Sequence, residues 1–240
     1  EHWQHDLPHA RVIANSSPEL PDSACWAGDT KGPILFVGRA DRHKGADLVV
    51  RAFAQLAKRF PQRELWLVGP ERDVRDDGRY YARFSDFLAA EIEDAEVRSR
   101  VRLLGALPPT EVAKLRRQAG CVLIASRYET FCLAAVEAMM AGCPLIAPDA
   151  SALPELVQDN VSGLLFRSED ALDLARALGT LLEQPDLARR LGAEARSDAR
   201  QRFSPRAVVD ETLQFYAELA AAAAAQPKAG VLRGFRAVGV

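Results

Sequence analysis

"PILFVGRADRHKGADLVVRAF", Pro33 to Phe53, passes from an apolar run through a charged turn into a segment whose apolar residues recur at helical spacing. The first part suits a strand covered on both faces. The last suits an amphipathic helix with Leu48, Val49, Ala52, Phe53 and Leu56 on one stripe. A strand followed at once by a helix is half of a parallel crossover unit, and the chain repeats it.

Comparable apolar runs stand at "ELWLVG" (64–69), "RVRLLG" (100–105), "CVLIAS" (121–126), "PLIAP" (144–148) and "GLLF" (163–166). Helical patterns between them cover Tyr81–Ala95, Thr110–Ala119 and a segment starting near Phe131. Further helices are expected at about 169–183, from Pro185 to 201, and from Ser204-Pro205 to 225. This alternation predicts an α/β fold: a doubly wound, six-stranded parallel sheet of Rossmann-like kind, with right-handed crossovers and extra C-terminal helices. The domain is placed at 32–203, after a linker or remnant at 1–31 and before a last helix at 204–226 and a tail at 227–240.

The 240 residues, 48% hydrophobic and 27% charged, suffice for one substantial core. A net charge of −2 offers no field for nucleic acid or an anionic membrane. The four cysteines, Cys25, Cys121, Cys132 and Cys143, form no C-x-x-C pair and no metal-ligand spacing. Three of them lie in apolar runs, where a thiol acts as a small hydrophobe, and a reducing cytoplasm is the expected compartment. His2, His5 and His9 read as part of a terminus rather than a metal site. No apolar run approaches the ~20 residues of a membrane span, and no signal peptide is present. The chain opens on Glu1 rather than Met, as a piece of something longer would.

In the common strand order 3-2-1-4-5-6, a crevice opens beyond the carboxyl ends of the first and fourth strands, where such sheets bind ligands. "GRADRHKG" (38–45) lies on one wall and "SRYETF" (126–131) on the other. Arg39, Arg42 and Lys44 make the first loop fit for anions, at the start of a helix that adds unpaired N–H groups. A merely solvated charged loop is the alternative. The glycines match neither G-x-x-x-x-G-K-[ST] nor G-x-G-x-x-G, which argues against a nucleotidase P-loop and an ordinary NAD site. Across the crevice, Glu129 precedes a helix closed by Gly142, with backbone N–H groups near Phe131, Cys132 and Leu133 facing the same space. Glu137, in the second turn, suits a cis-diol such as the ribose hydroxyls. Its plain alternative is a surface glutamate, but its neighbours from Ala134 to Met140 leave it little polar face.

These segments resemble the C-terminal, donor-binding domain of a retaining GT-B glycosyltransferase of the group 1, or family 4-like, kind. The likeness is carried by "ILFVGRADRHKGADLVVRAF" (34–53), "LWLVGP" (65–70), "VRLLGALP" (101–108), "SRYETFCLAAVEAMMAGCPLIA" (126–147) and "ELVQDNVSGLLF" (155–166), in the family's order. The resemblance implies transfer of a sugar from a nucleotide-diphosphate sugar, UDP- or GDP-linked, with retention and with no cofactor or metal required. Arg39 and Lys44 would bind the diphosphate, Glu129 the sugar and Glu137 the ribose. The backbone from Thr130 through Phe131 and Cys132 to Leu133 would border sugar and phosphate, and Gly105, Ala106 and Leu107 the base. The final helix would cross back to an N-terminal acceptor domain that this chain lacks, so the chain alone is expected to bind donor but transfer poorly. Any membrane association would be peripheral, through that missing domain, in the assembly of surface polysaccharide. The family often has glycines where Thr130 and Cys132 stand, and "VIANSS" (12–17) matches its linker only in part. A nucleotide-sugar epimerase, a phosphorylase and a non-catalytic nucleotide-sugar-binding module are the competing readings. Retention of Arg39, Lys44, Glu129 and Glu137 together argues against the last.

Overall fold

The computed structural model describes residues 10–225. From the linker, β1 (Ile34–Val37) leads into α1 (Ala46–Leu56) and β2 (Leu65–Val68). A hairpin of β3 (Val74–Asp76) and β4 (Arg79–Tyr81) follows, then α2 (Phe84–Glu91), α3 (Ala95–Ser99) and β5 (Val101–Gly105). Next come α4 (Pro109–Gln118), β6 (Cys121–Leu123), α5 (Leu133–Ala141), β7 (Leu145–Pro148), the short α6 (Leu153–Leu156) and β8 (Leu164–Phe166). Three helices end the described chain: α7 (Ala171–Glu183), α8 (Pro185–Phe203) and α9 (Pro205–Ala225). The histidines at 2, 5 and 9 and the tail at 227–240 lie outside the described residues.

The six apolar runs form one parallel sheet in the order β5-β2-β1-β6-β7-β8. Counting only these strands, that is the expected 3-2-1-4-5-6. Ile34 pairs with Leu65 on one side and Cys121 on the other, so β1 is central and the crossovers diverge between β1 and β6. Alternation along β1 serves two cores. Ile34 and Phe36 pack with Val49, Phe53 and Leu178 under α1 and α7, whereas Leu35 joins Val136, Met139 and Phe203 under α5 and α8. Each such side chain contributes roughly 1.5–3 kcal/mol on burial, which is why both faces of the sheet read apolar.

One predicted helix is corrected. Tyr81–Ala95 is not continuous: Tyr81 ends β4, α2 stops at Glu91, and α3 starts after Asp94, whose carboxylate accepts from the N–H groups of Glu96 and Val97. The hairpin ahead of it turns at Asp77 and Gly78, with φ of 44° and 76°, as a two-residue Asp-Gly turn requires. Phe84, Phe87 and Leu88 keep helical spacing, and that pattern concealed the strand before them. α8 and α9 begin at Pro185 and Pro205, as the proline signals indicate. Among the described residues, no helix is long and apolar enough to cross a membrane.

Candidate active site

The loop after β1 is shaped from within by Asp41, which is almost fully buried. Its Oδ1 accepts the N–H of Lys44 at 2.7 Å, and its Oδ2 accepts Arg39 Nε at 2.7 Å. Arg39 is therefore tied inside its own loop. Arg42 turns away and donates to the carbonyl of Arg75 in β3 at 3.0 Å, which leaves it out of the crevice. At Gly45, φ is +72° and an added Cβ would lie 1.9 Å from the Ala125 carbonyl oxygen, so only glycine lets α1 start against the end of β6.

This close approach brings the two walls together. Lys44 Nζ meets Glu129 Oε1 at 2.5 Å, 85 residues away in sequence. Arg127 fastens the same walls lower down. Its two terminal nitrogens hold the fully buried Asp47 at 2.9 and 2.8 Å, and Nη1 also donates to the Arg42 carbonyl. The main chain of Glu129 is held in turn by the turn after β7. Its N–H donates to Ser151 Oγ at 3.1 Å, and its carbonyl accepts from Ala152 at 3.3 Å.

α5 begins at Leu133, two residues later than the expected Phe131, because Cys132 stands in the left-handed region at φ 77°. No oxygen-bearing side chain caps the first turn of α5, whose N–H groups carry the partial positive charge of a helix start. Burial, the nearby Glu129 carboxylate adding to it, pushes the Cys132 thiol up to about 11. Phe131 packs edge-on against Phe203, with ring centroids 5.8 Å apart. With Thr130 it borders a cavity of about 500 Å³ between linker residues 12–15 and the α8–α9 junction. That space is the larger one, but its walls include neither Lys44 nor Glu129.

Glu137 lies in a second cavity, of about 300 Å³, with Leu107, Val37, Val112 and Met140. Its polar partner is Arg116 of α4, Nη2 to Oε2 at 2.7 Å. Leu107 lines this cavity with Glu137, whereas Gly105 and Ala106 stay outside the lining, Gly105 making the turn out of β5 at φ 67°. Five contributors carry no signal strong enough to be singled out from sequence: Asp41, Asp47, Arg127, Ser151 and Arg116. Arg116 is visible only as an arginine one turn after Val112 on a core-facing stripe. Asp41 is visible only as an Asp three residues before Lys44 in a turn. Among the described residues, no group of three or more His, Cys, Asp or Glu is arranged to hold a metal ion.

Against this geometry, the model of the family "Glycosyl transferases group 1" matches residues 27–198. A D-inositol 3-phosphate glycosyltransferase of Corynebacterium kroppenstedtii is 37% identical over 176 residues, covering 71% of this chain and 37% of that protein. Sucrose-phosphate synthase from Thermosynechococcus elongatus superposes with a TM-score of 0.71 at 28% identity, covering 92% of this chain and 56% of that one. HepE of Anabaena, in a crystal structure with UDP, superposes with a TM-score of 0.69 at 24% identity, over 88% of this chain and 57% of that chain. The chain spans well under two thirds of the length of these relatives.

Proposed function

Since this chain belongs to the group 1 glycosyl transferases, we propose that it supplies the donor-binding half of an enzyme that moves a sugar from a nucleotide diphosphate to an acceptor, with retention at the anomeric carbon. The carrying observation is the meeting of Lys44 and Glu129 across the β1–β6 crevice at 2.5 Å. A cation at the start of α1 and a carboxylate just ahead of α5, in one groove, fit a diphosphate joined to a polyol.

Lys44 and Arg39 would bind the diphosphate, with the uncapped α5 N terminus offsetting charge as it departs. Glu129 would hold sugar hydroxyls, and the backbone from Thr130 to Leu133 would border sugar and phosphate. Glu137 would take the ribose diol, with Leu107 beside the base. UDP or GDP is the favoured nucleotide, and the UDP held by the HepE structure supports the former. The acceptor and its domain would come from an N-terminal half outside this chain, and the free, buried cysteines suit a reducing cytoplasm.

Calorimetric titration with UDP-, GDP- and ADP-sugars tests the site. One nucleotide should bind, and Lys44→Ala and Glu137→Ala should each weaken it about tenfold or more, the usual loss on removing a hydrogen bond to a charged group. Unchanged affinity in both variants would overturn the assignment.

A further inference from the structure

Helix α4 buries Val112 and Arg116, one turn apart on one face. A guanidinium taken out of water needs a counter-charge and partners for its N–H groups. The Arg116 side chain is 5% exposed, its Nη2 is bound to Glu137, and its Nε has no partner among the described residues. Glu137 reaches across from α5 with its side chain 45% exposed, and its one hydrogen bond among the described residues is to Arg116. One end of the pair is fixed in the protein, and the other faces the cavity both residues line.

This asymmetry has a chemical consequence. A glutamate side chain has three torsions and, exposed, samples many rotamers. Fixing Oε2 against a buried, planar donor leaves Oε1 and a second lone pair of Oε2 aimed at the cavity. We propose that Arg116 is a positioning residue for nucleotide recognition, holding the Glu137 carboxylate in the orientation that accepts the two ribose hydroxyls. The inference rests on the assignment of Glu137 to the ribose.

UDP and GDP, each beside its 2′-deoxy counterpart, are titrated into the full chain and into Arg116→Met, Arg116→Gln and Glu137→Ala variants, after thermal unfolding of each is recorded. Methionine approximates the arginine stem without burying charge, and glutamine is too short to reach Glu137. In the unaltered chain, loss of the 2′-hydroxyl should weaken the better-binding nucleotide about tenfold. In Glu137→Ala the two forms should bind alike. Arg116→Met and Arg116→Gln should cut the discrimination to about threefold or less, whereas a purely structural role would lower affinity for both forms equally and leave the ratio intact. The ratio is read on whichever of the two unfolds cooperatively. A folded variant that keeps the full ratio overturns the positioning role and leaves Glu137 on the ribose. An unaltered chain with no ratio overturns both.

Discussion

Cys132 and Glu129 stand side by side at the mouth of α5, one constrained by its backbone and the other by its charge. Cys132 sits at φ 77°, where a Cβ is strained, yet it is buried. Replacing it by glycine removes that strain at the loss of a small thiol, and Cys132→Gly should raise stability by about 0.5–1 kcal/mol. The urea midpoint reads this directly, and a lower midpoint would refute it. With the Cys132 thiol pushed up to about 11, about a thousandth is thiolate at pH 8, so iodoacetamide should spare it until the chain unfolds. Rapid labelling of the native protein would contradict the burial. Glu129 allows a sharper separation of roles. It engages Lys44, so a diphosphate bound as proposed would compete with it for the ammonium. Glu129→Gln should therefore bind UDP about threefold to tenfold more tightly, while transfer by the complete enzyme falls. Weaker UDP binding would show that the carboxylate does not oppose the phosphates.

At the scale of elements, the strap between α1 and the β6–α5 loop is a buried ion pair. Asp47 is fully buried and accepts two bonds from Arg127, so Asp47→Ala strips a largely buried guanidinium of its buried counter-charge and leaves the exposed Glu169 as its carboxylate partner. Chemical denaturation should show a loss of about 3 kcal/mol. A loss under about 1 kcal/mol would mean the pair behaves as a surface one. The strands and their order were legible because each run is apolar on both faces, and Pro185, Pro205 and Gly142 punctuate the helices as sequence signals say. The β3–β4 hairpin was not, since three-residue strands carry too little alternation and the aromatic residues after them fit a helical stripe. The two site loops were readable from their charges. Their fastenings were not, because Asp47–Arg127 and Arg116–Glu137 join residues 80 and 21 positions apart, and pairing at that distance leaves no local pattern.

Across the whole molecule, α9 presents Val209, Leu213 and Tyr216 to solvent, all more than half exposed. Its other side is engaged by the linker, with Arg11 bound to Glu218 at 2.7 Å and stacked over Phe215. If the proposed division holds, this apolar row outside the core is the face on which an N-terminal acceptor domain would dock. Changing the three residues to serine or glutamine should move the stability of this chain by no more than about 0.5 kcal/mol each, as thermal unfolding would record. A large loss would assign the row to this domain's own core. The chain alone should bind donor and transfer poorly, and turnover at the rate of an intact enzyme would refute the division of labour.

Arg127 carries one more implication. By riveting the two walls to the buried Asp47, it sets the gauge of the groove. Under the proposed function, a donor would be received by walls already fastened to each other. Choice among sugars would then fall to the contour of those walls, and Thr130 and Cys132, on the turn between Glu129 and α5, are the residues to vary in testing it.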